Sequence, residues 1–265
     1  MTVFKAILLG ILQGATEFLP VSSSGHLLLA QKMLGLTEPE LAFDILLHLG
    51  TLLAVLLFLR REISDILGSF SRRYPDIRAG AWGRRDLLLL VVSSVPTAII
   101  GYAFHDAVET GVTLLGVGFR YLILTVFLLI SNLRFRHKMD PDRIELWEAA
   151  AIGIMQGAAV FPGLSRSGST ISLALVLGIG ASRGAKYSFF ISLPAILGGA
   201  LLHLHKGVSV LPRVLPSVLG FLFAFAVGYI SLLFVERLVT RGRFLRFAPY
   251  TFLLAVLSFY LYGKG

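Results

Sequence analysis

Apolar runs close to 20 residues long recur along this 265-residue chain, at about 41–59, 87–104, 113–133, 187–204, 214–235 and 247–262. A helix needs roughly 20 such residues to cross a hydrocarbon core about 30 Å thick. Hydrophobic residues make up 56% of the chain and charged ones 15%, against about 25% charged in an ordinary soluble domain. With a mean hydropathy of +0.82, this is the composition of a polytopic membrane protein. The net charge of +9 does not point to nucleic acid, because no soluble basic domain exists to bind it. There is no cysteine, which excludes disulfides, thiolate metal sites and cysteine nucleophiles. The apolar start, Met1–Leu12, leads into polar sequence without a small-residue cleavage site and is read as retained.

Two polar interruptions break this pattern. The first, Gln13-Gly-Ala-Thr-Glu17-Phe-Leu-Pro20-Val-Ser22-Ser23-Ser24-Gly25-His26, places a carboxylate, an amide, hydroxyls and an imidazole in apolar surroundings. A degenerate copy returns 143 residues later as Gln156-Gly-Ala-Ala-Val160-Phe-Pro162-Gly-Leu-Ser165-Arg166-Ser167-Gly168-Ser169. Residues 10–28 and 153–171 share 9 identities in 19 positions: Gly10, Ile11, Gln13, Gly14, Ala15, Phe18, Ser22, Ser24 and Gly25. The first copy has Glu17 and His26 where the second has Val160 and Ser169, and the second has Arg166 where the first has Ser23. One half holds the acid and the imidazole, the other the guanidinium, so the copies read as two parts of one site.

Neither flank of a break is long enough to span alone. Pro20, Gly25 and serines suit a helix interior only where another element satisfies the backbone they free. The expectation is a re-entrant pair of half-helices at 1–31 and again at 149–180. Each half of the chain (1–143 and 144–265 of a single membrane domain) is then one re-entrant hairpin plus three spans. Placing the loops 60–86, 134–148, 181–186 and 236–246 on the cytoplasmic side puts 17 of the 24 Lys and Arg there, as positive charge on the inner side requires. Three spans is an odd number, so the halves must be inverted and the hairpins enter from opposite sides, their tips meeting near the midplane. The fold class expected is all-α, with two inverted-topology repeats, a plan recurrent where membranes handle charged ligands.

An ionised group at the bilayer centre costs on the order of 3 kcal/mol even on lenient scales, so Glu17 and Arg166 are expected to face an aqueous cavity, each other, or both. One reading is an ion pair that only pins the hairpins together. The other is anion chemistry: turns opening half-helices present free N–H groups to phosphate or carboxylate, and the Arg166 fork suits phosphate oxygens. Glu17 is a candidate metal ligand shared with substrate phosphates, since Mg²⁺ often takes only one or two carboxylates. Ser22, Ser23 and Ser24 are candidate nucleophiles, with Glu17 or His26 as base. Most of Ser22, Ser24, Ser165, Ser167 and Thr170 are expected to bond backbone or join helices. His48, His203 and His205 read as packing or interfacial residues, His105 and Asp106 as solvated turn residues, Arg120 as a snorkelling side chain, and Asp44 as a polar helix start in preference to a second metal ligand.

The motifs Gln13-x-x-x-Glu17-Phe-Leu-Pro20-Val-Ser-Ser-x-Gly25-His26 and Pro162-Gly-Leu-Ser165-Arg166-Ser-Gly-Ser-Thr170 resemble the two signatures of the undecaprenyl-diphosphatase (bacitracin-resistance) family. His48-Leu-Gly-Thr-Leu-Leu-Ala-Val55, Phe104-His-Asp106 and the order of spans fit as well, and the resemblance runs essentially full length. The first position of the acidic motif is often Glu in that family; here it is Gln13, an orienting group rather than a second carboxylate. The resemblance implies a phosphatase of the bacterial cytoplasmic membrane that removes the terminal phosphate of the C55 isoprenoid diphosphate at the outer, periplasmic face. It implies a divalent cation (Mg²⁺ or Ca²⁺), a polyprenyl diphosphate and membrane lipid as partners with no nucleic acid, and a homodimer as a candidate assembly. The catalytic positions carried over are Glu17, Ser23, His26 and Arg166, with Ser23 as nucleophile and His26 as the alternative. Gln13, Ser22, Ser24, Gly25, Ser165, Ser167, Gly168 and Thr170 are the substrate-binding candidates. A carrier that rocks its repeats to move an anionic lipid is the competing reading, because inverted repeats are shared with transporters.

Overall fold

Backbone groups freed inside lipid have to find partners in the protein, and the chain meets this demand with helix throughout its apolar runs. A computed structural model describes residues 1–36, 41–70, 82–104, 107, 113–135, 143–205 and 213–264. Helices α1 (Val3–Phe18) and α2 (Ser23–Met33) form the first hairpin. Helix α3 (Leu41–Phe58) bends by 62° into the short α4 (Arg60–Gly68), and α5 (Arg84–Ala103) and α6 (Leu114–Phe135) follow. The second hairpin is α7 (Leu146–Ala158) and α8 (Arg166–Val176); then come α9 (Ala181–His205), α10 (Val214–Thr240), a 3-10 turn (Phe244–Phe247) and α11 (Ala248–Lys264).

Among the described residues five helices are long and apolar enough to cross a membrane, and six when the bent pair counts as one span. All six apolar runs fall on these helices, and both polar interruptions fall on the breaks of the two short hairpins. Side chains such as Val91, Ile99, Phe119, Ile123, Ile230 and Leu253 stay exposed on the outer faces, as lipid-facing positions do. Arg72, Arg73, Arg78, His105, Asp106, Glu109, Arg136, Lys138 and Lys206, and the side chains of Lys32, Arg134, His203 and His205, lie outside the described residues.

Helix α9 begins earlier than the apolar run suggests, so Arg183 and Lys186 lie in its first turns rather than in a loop. They are tolerated there because each is paired. Arg183 bonds the buried Asp86 and stacks 3.7 Å from the Trp82 ring centre, while Lys186 reaches Glu62 at 2.6 Å. Asp86 also caps α5 by accepting from the Gly83 N–H at 2.8 Å.

The repeated glycines explain how the halves join. Gly10 and Gly14 lie against the backbone of α10; a Cβ on Gly14 would stand 2.7 Å from the Ala224 carbonyl oxygen. Their equivalents Gly153 and Gly157 lie against α5; a Cβ on Gly153 would stand 2.6 Å from Ser93 Cα, and one on Gly157 2.8 Å from Ile100 Cβ. The first helix of each half therefore packs on the middle span of the other half. Small residues let backbones approach where no hydrophobic effect drives helices together, and hydroxyls add to the joint. Ser93 Oγ donates to Ala149 O at 2.7 Å and Thr97 Oγ1 to Gly153 O at 2.8 Å. Gly153→Val should destabilise the protein by about 1–3 kcal/mol through overpacking, read as a lower midpoint of unfolding in detergent. Gly101→Ala, whose added Cβ meets no atom within 4 Å, should not; equal midpoints for the two would contradict this packing.

Candidate active site

The broken hairpins meet tip to tip. At the first break Ser22 adopts φ 65°, and at the second Gly163 adopts φ 100°, a left-handed conformation that suits glycine far better than serine. The strained turn is held from the other half: the Gly163 N–H donates to Ser22 Oγ at 3.2 Å, while Ser165 and Ser167 donate to the Leu19 carbonyl at 3.3 and 3.2 Å. Gly168 packs on Pro20, where a Cβ would come within 2.8 Å. Arg120 Nε donates to the Pro162 carbonyl at 2.6 Å, and the Tyr121 hydroxyl to that of Val21 at 3.3 Å. Arg120 thus braces the second turn instead of snorkelling, because a freed carbonyl lies within its reach.

Glu17 is the centre of this joint. It is buried, and one carboxylate oxygen accepts a hydrogen bond from the Arg166 guanidinium, which ties α1 to the first turn of α8. The other oxygen accepts from Ser23 Oγ at 2.7 Å and from Gln13 Nε2 at 3.0 Å, and His48 Nε2 stands 3.7 Å from it. The ring of His48 is oriented by Nδ1, which donates to the Asp44 carbonyl at 2.8 Å; a carbonyl only accepts, so Nδ1 carries the proton. Both α2 and α8 begin at the joint, so the positive ends of two helix dipoles converge on it.

A cavity of about 650 Å³ opens over these groups. Its polar end is lined by Glu17, Ser22, Ser23, Ser24, Asp44, His48, Ser165 and Arg166. Its remaining walls are largely apolar and small, including Ala98, Gly101, Ala159, Val160, Ile196, Gly198 and Gly199, with Ser94, Thr97 and Gln156 among them. A hydroxyl bonded to a buried carboxylate is the arrangement of an activated nucleophile and its base. A guanidinium beside it, under two helix N-termini, is an anion receptor.

The expected residues divide accordingly. Glu17, Ser22, Ser23, Ser24, Ser165 and Arg166 line the cavity, and Gln13 lies buried behind Glu17 as an orienting amide. Ser167, Gly168 and Thr170 do not line it. Ser167 and Gly168 are committed to the joint, and Thr170 donates to the Arg166 carbonyl at 2.8 Å and meets Ser188 Oγ at 2.5 Å. Gly25 packs near the Tyr121 hydroxyl. His26 turns away from the cavity: Nδ1 donates to the Ser22 carbonyl at 2.9 Å, and Nε2 meets the Tyr250 hydroxyl at 2.7 Å. Both of its nitrogens are hydrogen-bonded, and His26 is not among the residues that line the cavity.

Two residues read as bland in the sequence belong to this site. His48 and Asp44 line the cavity, and Asp44 Oδ1 accepts from Gln31 Nε2 at 2.7 Å. The signal was their one-turn spacing on α3, but nothing in the sequence said that this turn faces Glu17. Glu17 keeps room for a divalent ion, because its two oxygens offer about four lone-pair sites to the three donors Arg166, Ser23 and Gln13. Among the described residues no group of three or more His, Cys, Asp or Glu is placed to hold a metal.

Residues 6–257 match the family described as bacitracin resistance protein BacA. Curated relatives include the undecaprenyl-diphosphatase of Desulfosudis oleivorans, 41% identical over 98% of this chain and 99% of its own. Those of Carboxydothermus hydrogenoformans and Rubrobacter xylanophilus are 38% and 39% identical, covering 100% and 97% of this chain and 99% and 97% of their own lengths.

Removing one partner of a buried pair strands the other charge, at a cost of roughly 3–5 kcal/mol. Arg166→Ala should therefore destabilise the protein more than the double variant Glu17→Gln/Arg166→Ala does, measured by unfolding in detergent. A double variant that is the sum of the two single ones would show that the pair is not coupled.

Proposed function

The chain belongs to the BacA bacitracin resistance protein family, and we propose that it removes the terminal phosphate of undecaprenyl diphosphate. The products are undecaprenyl phosphate and inorganic phosphate, which returns the lipid carrier to the synthesis of peptidoglycan and other cell-wall polymers. The observation that carries this reading is the 2.7 Å hydrogen bond from Ser23 to a Glu17 carboxylate that is itself bonded by Arg166, at the polar end of an apolar-walled cavity.

Ser23 Oγ attacks the terminal phosphorus while Glu17 takes its proton. The bond from phosphorus to the bridging oxygen breaks, and undecaprenyl phosphate leaves as an anion. Arg166 and the N–H groups opening α2 and α8 hold the equatorial oxygens, where a loose phosphoryl transition state gathers charge. Water then attacks the phosphoserine, losing its proton to solvent, and Ser23 Oγ departs as it takes the proton back from Glu17. Gln13 keeps the carboxylate oriented between the two halves of the cycle. A divalent cation, when bound, would neutralise charge on the diphosphate, with Glu17 as its candidate protein ligand.

The reciprocal packing of α1 on α10 and α7 on α5 supports two inverted repeats, 1–143 and 144–265, in one domain. The cavity is lined near the end of α5 (Gly101, Tyr102), the end of α9 (Ala200, Leu202) and the start of α3 (Asp44), the helix ends remote from the basic loops. Positive charge on the inner side therefore turns the site toward the outer face of the bacterial cytoplasmic membrane.

Detergent-solubilised protein, with no sealed compartment, should release phosphate from undecaprenyl diphosphate. Ser23→Ala and Arg166→Ala should each lower kcat by about 10²-fold or more, with His26→Ala less impaired than Ser23→Ala. No release by the wild type would favour a carrier, and wild-type turnover in Ser23→Ala would remove the serine from the mechanism.

A further inference from the structure

Tyr250 belongs to neither repeated motif and comes from the last helix, yet it ends a chain of contacts that begins at the attacking hydroxyl. Ser23 follows Ser22, whose left-handed backbone sets the direction in which Ser23 leaves the turn. The carbonyl of that same Ser22 accepts from His26 Nδ1 at 2.9 Å. Since Nδ1 carries the proton, Nε2 is the accepting nitrogen, and its partner at 2.7 Å is the Tyr250 hydroxyl, which donates. The two rings lie nearly parallel, 22° apart with centres separated by 6.0 Å.

Tyr250 sits on anchored backbone. Its neighbour Thr251 is buried and meets Thr125 Oγ1 on α6 at 2.8 Å. One turn earlier on α6, Tyr121 holds the Val21 carbonyl. Two tyrosines from two spans therefore clamp consecutive carbonyls of the first break, one directly and one through His26.

We propose that Tyr250 is a positioning residue for the phosphatase site, holding His26 as a neutral strut that locks the Ser22–Ser23 peptide and so aims Ser23 at phosphorus. The proposal rests on the reading of Ser23 as nucleophile given above. On this view His26 works through its bond to the turn and not as a base, and the loss in His26→Ala is a loss of aim.

The test pairs an imaging of the bond with kinetics. In protein carrying ¹⁵N-histidine, His26 should show a protonated Nδ1 and an unprotonated, hydrogen-bonded Nε2, and Tyr250→Phe should shift that Nε2 resonance toward the unbonded position. Tyr250→Phe keeps the ring and removes one donor, so kcat should fall about tenfold, the rate equivalent of one hydrogen bond, with little change in KM. Tyr250→Phe/His26→Ala should turn over no more slowly than His26→Ala alone. A proton on Nε2, wild-type turnover in Tyr250→Phe, or a full additional loss in the double variant would each overturn the proposal. Failure of the attack scheme itself would appear differently, as turnover surviving Ser23→Ala with the His26 spectrum unchanged.

Discussion

A buried carboxylate and a half-buried guanidinium among apolar helices must find each other or water, and the pairing of Glu17 with Arg166 meets that demand here. The pair lies in the joint between two polypeptide breaks that are remote in sequence. Neither break holds its shape alone: Ser22 is strained, and the carbonyls of Leu19, Val21 and Pro162 are freed from helix bonding. Each is satisfied by the other break or by a span beside it. The polar joint is therefore a structural solution to broken helices and, in the proposed reaction, the receptor for the diphosphate.

That double use explains why so many hydroxyls gather where polar groups are expensive. Ser165, Ser167 and Thr170 bond backbone, as serines and threonines in apolar helices usually do. Ser23 is different because its partner is a carboxylate. Around this contact the remaining groups restrict motion: Gln13 on the carboxylate, Arg120 and Tyr121 on the two turns. Rigidity of this kind is what phosphoryl transfer asks of a protein, since positioning and charge stabilisation do most of the work.

Much of this was legible in the residues. Length and hydropathy marked the six long helices, and the repeated Gln-Gly-Ala phrase marked both hairpins. Exchange of Glu17 for Val160 and of Ser23 for Arg166 announced an acid and a guanidinium contributed by different breaks, and these are the two that pair. The remainder depended on which helix faces which. His48 stands one turn after Asp44 on an apolar helix, and periodicity alone cannot tell a cavity-facing turn from a packed one. His26 carries the chemistry of a base, but its two nitrogens were assigned by a carbonyl four residues back and a phenol 224 residues ahead. The glycines at 10, 14, 153 and 157 counted only as identities shared by the two copies; their use is close contact between helices of opposite halves.

The proposed reaction requires one diphosphate to be gripped by both hairpins at once. A structure with a non-hydrolysable polyprenyl methylene-diphosphonate measures this most directly. The terminal phosphonate should contact Ser23 Oγ and the Arg166 guanidinium together, with the isoprenoid leaving along the wall of Gly101 and Gly198. A phosphonate held by one hairpin only, or bound outside the cavity over Glu17, would contradict it.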